Sequence, residues 1–382
     1  MRRWHFLFIL ITVMIYAGFE KVDGKMNVEK VRFGDIDNRY FNVMDYGAKG
    51  DGVADDTNAI EEAIKAALKV NGTVYFPEGN YMISETIRVA KDDSRRLVLK
   101  GDGEASRILG GENLDNHMFE ILLKYNFQVI DLSFKHNGPG GSCIYSVFLR
   151  AFNCYFESNA VNSSPLIDFH GSDCKIDSCT FNTSSKESFS IYYSMLDNEI
   201  SINNYIVDNM FKGVGKGILV GDGKYTSSGR CEGLKINNNN FENTGENQIV
   251  IQEILHVDIA NNTMKGSSKS AIVLASKGHG PDGIFINHNT ISANYACIIT
   301  EGVKGDYISM TVISDNILSG GSYGIYDNVG LNKCFIRDNV FEKQAKNAIE
   351  IEGGVNLFII DNLIRDKSIS VSNSEKYVIK NN

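Results

Sequence analysis

The sequence predicts an all-β protein, a single right-handed parallel β-helix closed at its N-terminal end by one capping helix. Three observations predict it. A short motif of an aliphatic residue, two variable residues, usually Asn, one variable residue and a large apolar residue recurs ten times between Val129 and Ile364. The copies lie 22 to 30 residues apart, as in a solenoid that confines its insertions to loops. Finally, Pro is nearly absent, 4 in 382 residues, as expected where almost every backbone N–H feeds a ladder.

The first aliphatic residue of each copy is Val129, Ala151, Ile176, Ile206, Ile236, Ile259, Ile286, Ile313, Ile336 or Ile359. Within each copy the apolar residues alternate or straddle a polar corner, which is strand periodicity and not helical spacing. The repeated Asn is placed at that corner, where its tolerance of the left-handed region and its amide suit a column of side chains linked from coil to coil. The column runs through Asn209, Asn239, Asn262, Asn289, Asn316, Asn339 and Asn362, with Leu132, Cys154 and Cys179 in its place in the earliest coils. Cys154 and Cys179 fall on adjacent coils, within reach of a disulfide.

A further strand precedes a variable loop in each coil, at 166–170, 190–193, 217–221, 248–252, 271–275, 296–300, 324–327 and 348–352. Alternation puts Ile218, Val220, Ile249, Ile251, Ile272, Leu274, Cys297 and Ile299 inside. The intervening residues face solvent along one flat sheet.

Residues 1–24 read as a secretion signal or N-terminal anchor, with Arg2 and Arg3 ahead of an apolar run from Phe6 to Phe19. Export is the expectation, because the run is short for spanning a bilayer. Residues 25–39 form a leader, 40–125 the cap and first coils, 126–366 the main coils and 367–382 a C-terminal tail or cap. A net charge of −9 argues against nucleic acid and anionic membrane surfaces as partners. The seven Cys make no small-domain framework, and no Cys/His spacing suggests zinc.

The capping helix is predicted after Asp55-Asp56-Thr57, with Asp56 or Thr57 as N-cap, an apolar stripe of Ile60, Ile64, Ala67 and Leu68, and a stop at Asn71-Gly72. Such a lid covers a sheet edge and an apolar core that the first coil would otherwise expose. The segment Tyr46-Gly47-Ala48-Lys49-Gly50-Asp51-Gly52, followed by Asp55-Asp56-Thr57 and the turn Phe76-Pro77-Glu78-Gly79, resembles the start of the pectate lyase superfamily domain. That domain is shared by polygalacturonase-like hydrolases, many phage tailspikes and some alginate epimerases. The resemblance implies an extracellular carbohydrate-active protein with a polysaccharide as partner, while leaving the reaction open. The Asp55-Asp56 pair reads as structural.

Gly278-His279-Gly280 resembles a polygalacturonase motif, but no Asp-Asp pair lies just upstream and no Arg-Ile-Lys follows. His279 is therefore expected on a turn, as a solvated or substrate-binding residue in preference to a catalytic one. Counting four residues from Ile218, Ile249, Ile272 and Cys297 gives Asp222, Glu253, Ser276 and Glu301. Asp222 and Glu253 on adjacent coils fit the paired carboxylates of a glycosidase, about 5–5.5 Å apart for retention and about 6.5–9.5 Å for inversion. A second cluster, Asp168 and His170 on one coil and Tyr192 on the next, supplies what a lyase or uronate C5-epimerase uses. Lys224, Arg230, Lys277 and Lys304 are candidate cations, and Tyr192, Tyr225, Tyr323 and Tyr326 candidate sugar-stacking rings.

The leading expectation is a secreted glycoside hydrolase acting through Asp222, Glu253 and Glu301. The alternatives are a polysaccharide lyase or epimerase, and a non-catalytic glycan-binding solenoid. No cofactor is implied; clustered carboxylates suit Ca²⁺, but no dedicated loop marks a calcium site.

Overall fold

A computed structural model describes residues 39–382, apart from 93–94, 196–199, 222–229, 244, 253, 277 and 279. The expected signal and leader, residues 1–38, lie outside the described residues. From Tyr40 to Asn382 the chain is one compact unit. Each coil gives one strand to each of three parallel sheets, which hold 14, 13 and 12 strands among the described residues; they are called sheets A, B and C in that order.

The repeated motif sets the register of sheet A. Val129 pairs with Ala151, Ala151 with Ile176, Ile176 with Ile206, and so on through Ile336 and Ile359, without a slip. All ten point into the core. In sheet B the last apolar position stacks rings: Phe134, Phe156, Phe181, Phe211 and Phe241 lie at successive centroid distances of 5.2, 5.3, 5.1 and 4.4 Å, nearly parallel. Such burial is the main favourable term in holding the coils together.

At the corner between sheets A and B the Asn column forms as the sequence predicts. Asn209 Nδ2 donates to Asn239 Oδ1 at 3.0 Å, and the same bond recurs through Asn262, Asn289, Asn316, Asn339 and Asn362. Each Nδ2 also donates to a main-chain carbonyl of the preceding coil, as Asn289 does to Ile259 O at 2.8 Å. Two details differ from the expectation. Asn382 takes the end of the column, accepting from Asn362 Nδ2 at 2.8 Å. The left-handed residue is not the ladder Asn but its predecessor, for instance Asp208, Asn238, His288 and Asp338, with φ of 56–60°. The inward amide needs ordinary backbone to reach its neighbours, so the turn is taken one residue earlier. Cys154 and Cys179 remain free, buried thiols.

The capping helix, α1, spans Thr57–Leu68 and buries Ile60, Ala63, Ile64 and Ala67, with Leu68 partly covered. Its acidic pair divides the work. Asp55 accepts from the Thr57 amide at 3.0 Å and from Ser84 Oγ at 2.6 Å. Asp56, buried, turns back and accepts from the amides of Lys49 and Gly50 at 2.6 and 3.1 Å. The Gly-rich loop is thereby tied to the helix start, a structural role for both carboxylates.

Candidate functional site

Sheet C carries the outward-facing residues of the candidate site. One row of them is continuous in register across the sheet: Arg88, Glu120, Tyr145, Asp168, Tyr192, Leu219, Val250, Val273, Ile299, Tyr326, Glu350 and Ser370. Its N-terminal part is polar and its middle is aliphatic.

The polar part gathers a cluster around Asp168 and His170. Asp168 faces outward from Ile167–Phe169, and His170 follows directly after that strand. His170 Nε2 and Asp168 Oδ1 lie 2.9 Å apart, both buried, and neither atom has another hydrogen-bond partner among the described residues. His170 Nδ1 meets Ser194 Oγ at 3.0 Å. His170 is only 8% exposed, and Asp168 is half-buried. Buried polar atoms without partners carry a desolvation cost, and a ligand that supplies the missing partner removes it.

Rings extend the cluster diagonally. His117, Tyr145, His170 and Tyr192 follow at centroid distances of 4.8, 5.0 and 6.3 Å. His117 Nδ1 accepts the Ser142 amide at 3.1 Å, so its neutral ring carries the proton on Nε2. Burial holds the His117 imidazole below its usual range; Asp168 and Glu120 oppose this, while His170 and Arg88 add to it. His117 is therefore neutral near pH 7 and within electrostatic reach of the Asp168 carboxylate and of the Arg88/Glu120 ion pair. The latter pair closes at 2.9 Å.

Of the residues predicted from sequence, Asp168, His170 and Tyr192 come together. Asp222, Tyr225, Glu253, Lys277 and His279, with Lys224, lie outside the described residues. Glu301 needs a correction of register. Ile298, not Cys297, pairs with Ile272 and Ile325, so Ile299 faces outward beside Val273. Glu301 consequently pairs with Ala275, one position before the row counted to Asp222 and Glu253, and is exposed. The run Ala296-Cys297-Ile298-Ile299 has no polar residue to set the phase of alternation, which is why the count slipped. Lys304 pairs with Glu352 at 2.6 Å. Tyr326 stacks on Tyr323 at 4.6 Å with Tyr295 edge-on to both, six strands beyond Asp168.

Sequence reasoning missed His117, Tyr145, Glu120 and Arg88. Tyr145 and Glu120 sit one and two coils before Asp168 and were readable by extending the third-strand register toward the N-terminus. His117 precedes its strand and has no such signal. Among the described residues no group of three His, Cys, Asp or Glu is arranged to hold a metal ion.

Residues 40–295 match the family described as Rhamnogalacturonase A/epimerase, pectate lyase-like. The chain is 43% identical over 77 residues to plasmin and fibronectin-binding protein A of Streptococcus pneumoniae, covering 20% of this chain and 10% of that protein. It is 60% identical over 45 residues to alginate lyase 7 of Azotobacter vinelandii, 12% of this chain and 5% of that one. The matched segments are thus a tenth or less of those relatives' length. An exopolygalacturonase of Thermotoga maritima shares the fold, with a TM-score of 0.58 at 13% identity, over 86% of this chain and 92% of that one.

Proposed function

The chain belongs to this pectate lyase-like family, and on that footing we propose that it acts on an acidic polysaccharide laid along the outer face of sheet C, by moving the C5 proton of a uronate residue. The observation that carries this reading is the Asp168–His170 pair, two buried polar atoms 2.9 Å apart with no partner but each other among the described residues, flanked by Tyr145 and Tyr192. His170, oriented by Ser194 and held beside the Asp168 carboxylate, takes the proton. The C5–H electrons pass into the uronate carboxyl group, whose charge is met by the Nε2–H of neutral His117. Two outcomes share that first step. In elimination the electrons form a C4–C5 double bond, the C4–O bond breaks, and a tyrosine hydroxyl protonates the departing oxygen. In epimerisation the tyrosine returns a proton to the opposite face. General acid–base groups of this kind contribute about 10²–10⁴ each.

The hydrolytic alternative rests on Asp222, Glu253 and Glu301. Two of these lie outside the described residues, and the third is displaced by one position, so its support is weaker. A non-catalytic adhesin is favoured by one observation, the 43% identity to a plasmin- and fibronectin-binding protein over 77 residues. His170→Ala and Asp168→Asn separate the readings. Turnover of polyuronates lost with the fold intact supports proton transfer. Turnover unchanged in both variants returns the choice to Asp222 and Glu253. Binding with no turnover by the wild-type chain supports the adhesin.

A further inference from the structure

The N-terminal end of sheet C opens into a cleft of about 370 Å³ between α1 and the first coil. Its rim carries five cations, Lys65, Lys69, Arg88, Lys91 and Arg95, against two carboxylates, Glu61 and Asp92. Its floor is apolar, formed by Ile64, Leu68 and Ile87 among others. With Glu62 and Glu120, which pair with Lys65 and Arg88, the carboxylates number four, so the rim keeps a small excess of positive charge in a chain of net charge −9.

Three of the cations are engaged. Lys65 pairs with Glu62 at 2.9 Å, and Arg88 with Glu120 at 2.9 Å. Arg95 donates to Leu68 O at 2.7 Å and lies 3.3 Å from Asp92, which ties the rim to the end of α1. Lys69 and Lys91 are exposed and have no ion pair among the described residues. A concave, cationic, partly apolar site of this size suits an anionic sugar, whose ring covers the floor while its carboxylate meets the ammonium groups.

The cleft is continuous with the candidate active site. Arg88 lines it and also begins the outward row that reaches Asp168 three strands later, about 14 Å away at the usual inter-strand spacing. A pyranose lengthens a polysaccharide by roughly one such spacing, so a chain with one residue over His170 brings its third or fourth neighbour to the cleft. We propose that this cleft is a distal binding subsite for the carboxylated residues of a long polyuronate, held chiefly by Lys69 and Lys91. The inference rests on the reading of sheet C as a polyuronate track. It adds that the protein discriminates by polymer length and charge at a place removed from the chemistry.

The test uses trimers and decamers of mannuronate and galacturonate, with maltodecaose as a neutral control. In the double variant Lys69→Gln/Lys91→Gln the dissociation constant of the better-bound acidic decamer rises about tenfold. Turnover of the trimer is unchanged, and 0.5 M salt erases the difference between variant and wild type. His170→Ala lowers turnover by about 10²–10⁴ but keeps both the decamer affinity and its dependence on the two lysines. An equal decamer affinity in wild type and double variant overturns the subsite, as does an equal loss for trimer and decamer. A failure of the active-site reading looks different: turnover survives His170→Ala while the lysine dependence of decamer binding stands.

Discussion

The outward row of sheet C has two halves with one geometry and opposite chemistry. Arg88, Glu120, Tyr145, Asp168 and Tyr192 stand in the same register as Leu219, Val250, Val273, Ile299 and Tyr326. In the first half the buried polar atoms of Asp168 and His170 have no partner but each other among the described residues. In the second half Val273 and Ile299 are nearly as buried as core residues and form an apolar cluster apart from the core. Parallel ladders hold both halves in the same way, so backbone stability does not depend on which side chains face out. The coils therefore leave the outer row free to vary, and the Asp168–His170 pair is the candidate for a functional use of that freedom.

The comparison can be broken most sharply at His170. Replacing it by Ala lowers turnover of a polyuronate by about 10²–10⁴, with a melting temperature close to wild type. Val273→Asp in the aliphatic half does the reverse. It places a carboxylate among buried apolar side chains and costs about 3 kcal/mol by denaturant unfolding, while the remaining folded fraction keeps its turnover per molecule.

Asn289→Ala cuts the corner column between the two kinds of face. It removes the acceptor of Asn262 N and Nδ2 and the donor to Asn316 Oδ1. The expected cost is about 2 kcal/mol in unfolding free energy, with no change in substrate preference. The smallest effect is on pH dependence. His117 and His136 are both held below the usual imidazole value by burial. Each therefore contributes stability that is present above pH 6.5 and lost as pH falls through its folded value. Acid titration of the melting temperature shows this decline, and His117→Asn makes it shallower.

Much of the fold was legible in the sequence because the Asn corner repeats and the inward aliphatics alternate around it. Both report backbone geometry directly, and the register they implied for sheet A holds across all ten copies. The placement of the candidate site residues was legible only where alternation was clean. Phe169 and Tyr193 are buried beside outward Asp168 and Tyr192, so that coil pair could be read. At Cys297-Ile298-Ile299 every candidate is apolar, the phase is undetermined, and Glu301 was misplaced by one residue. His117 lies on a turn before its strand, where no periodicity reaches it. The clefts of a solenoid depend on such turns as much as on its rungs.

In the proposed reaction the Asp168–His170 cluster moves a C5 proton. Its most direct test is nuclear magnetic resonance of a polyuronate incubated with the protein in deuterated water. The account predicts deuterium at C5 of product residues or a new C4–C5 double bond, each lost in His170→Ala. New reducing ends on saturated sugars whose C5 hydrogen has not exchanged would contradict it.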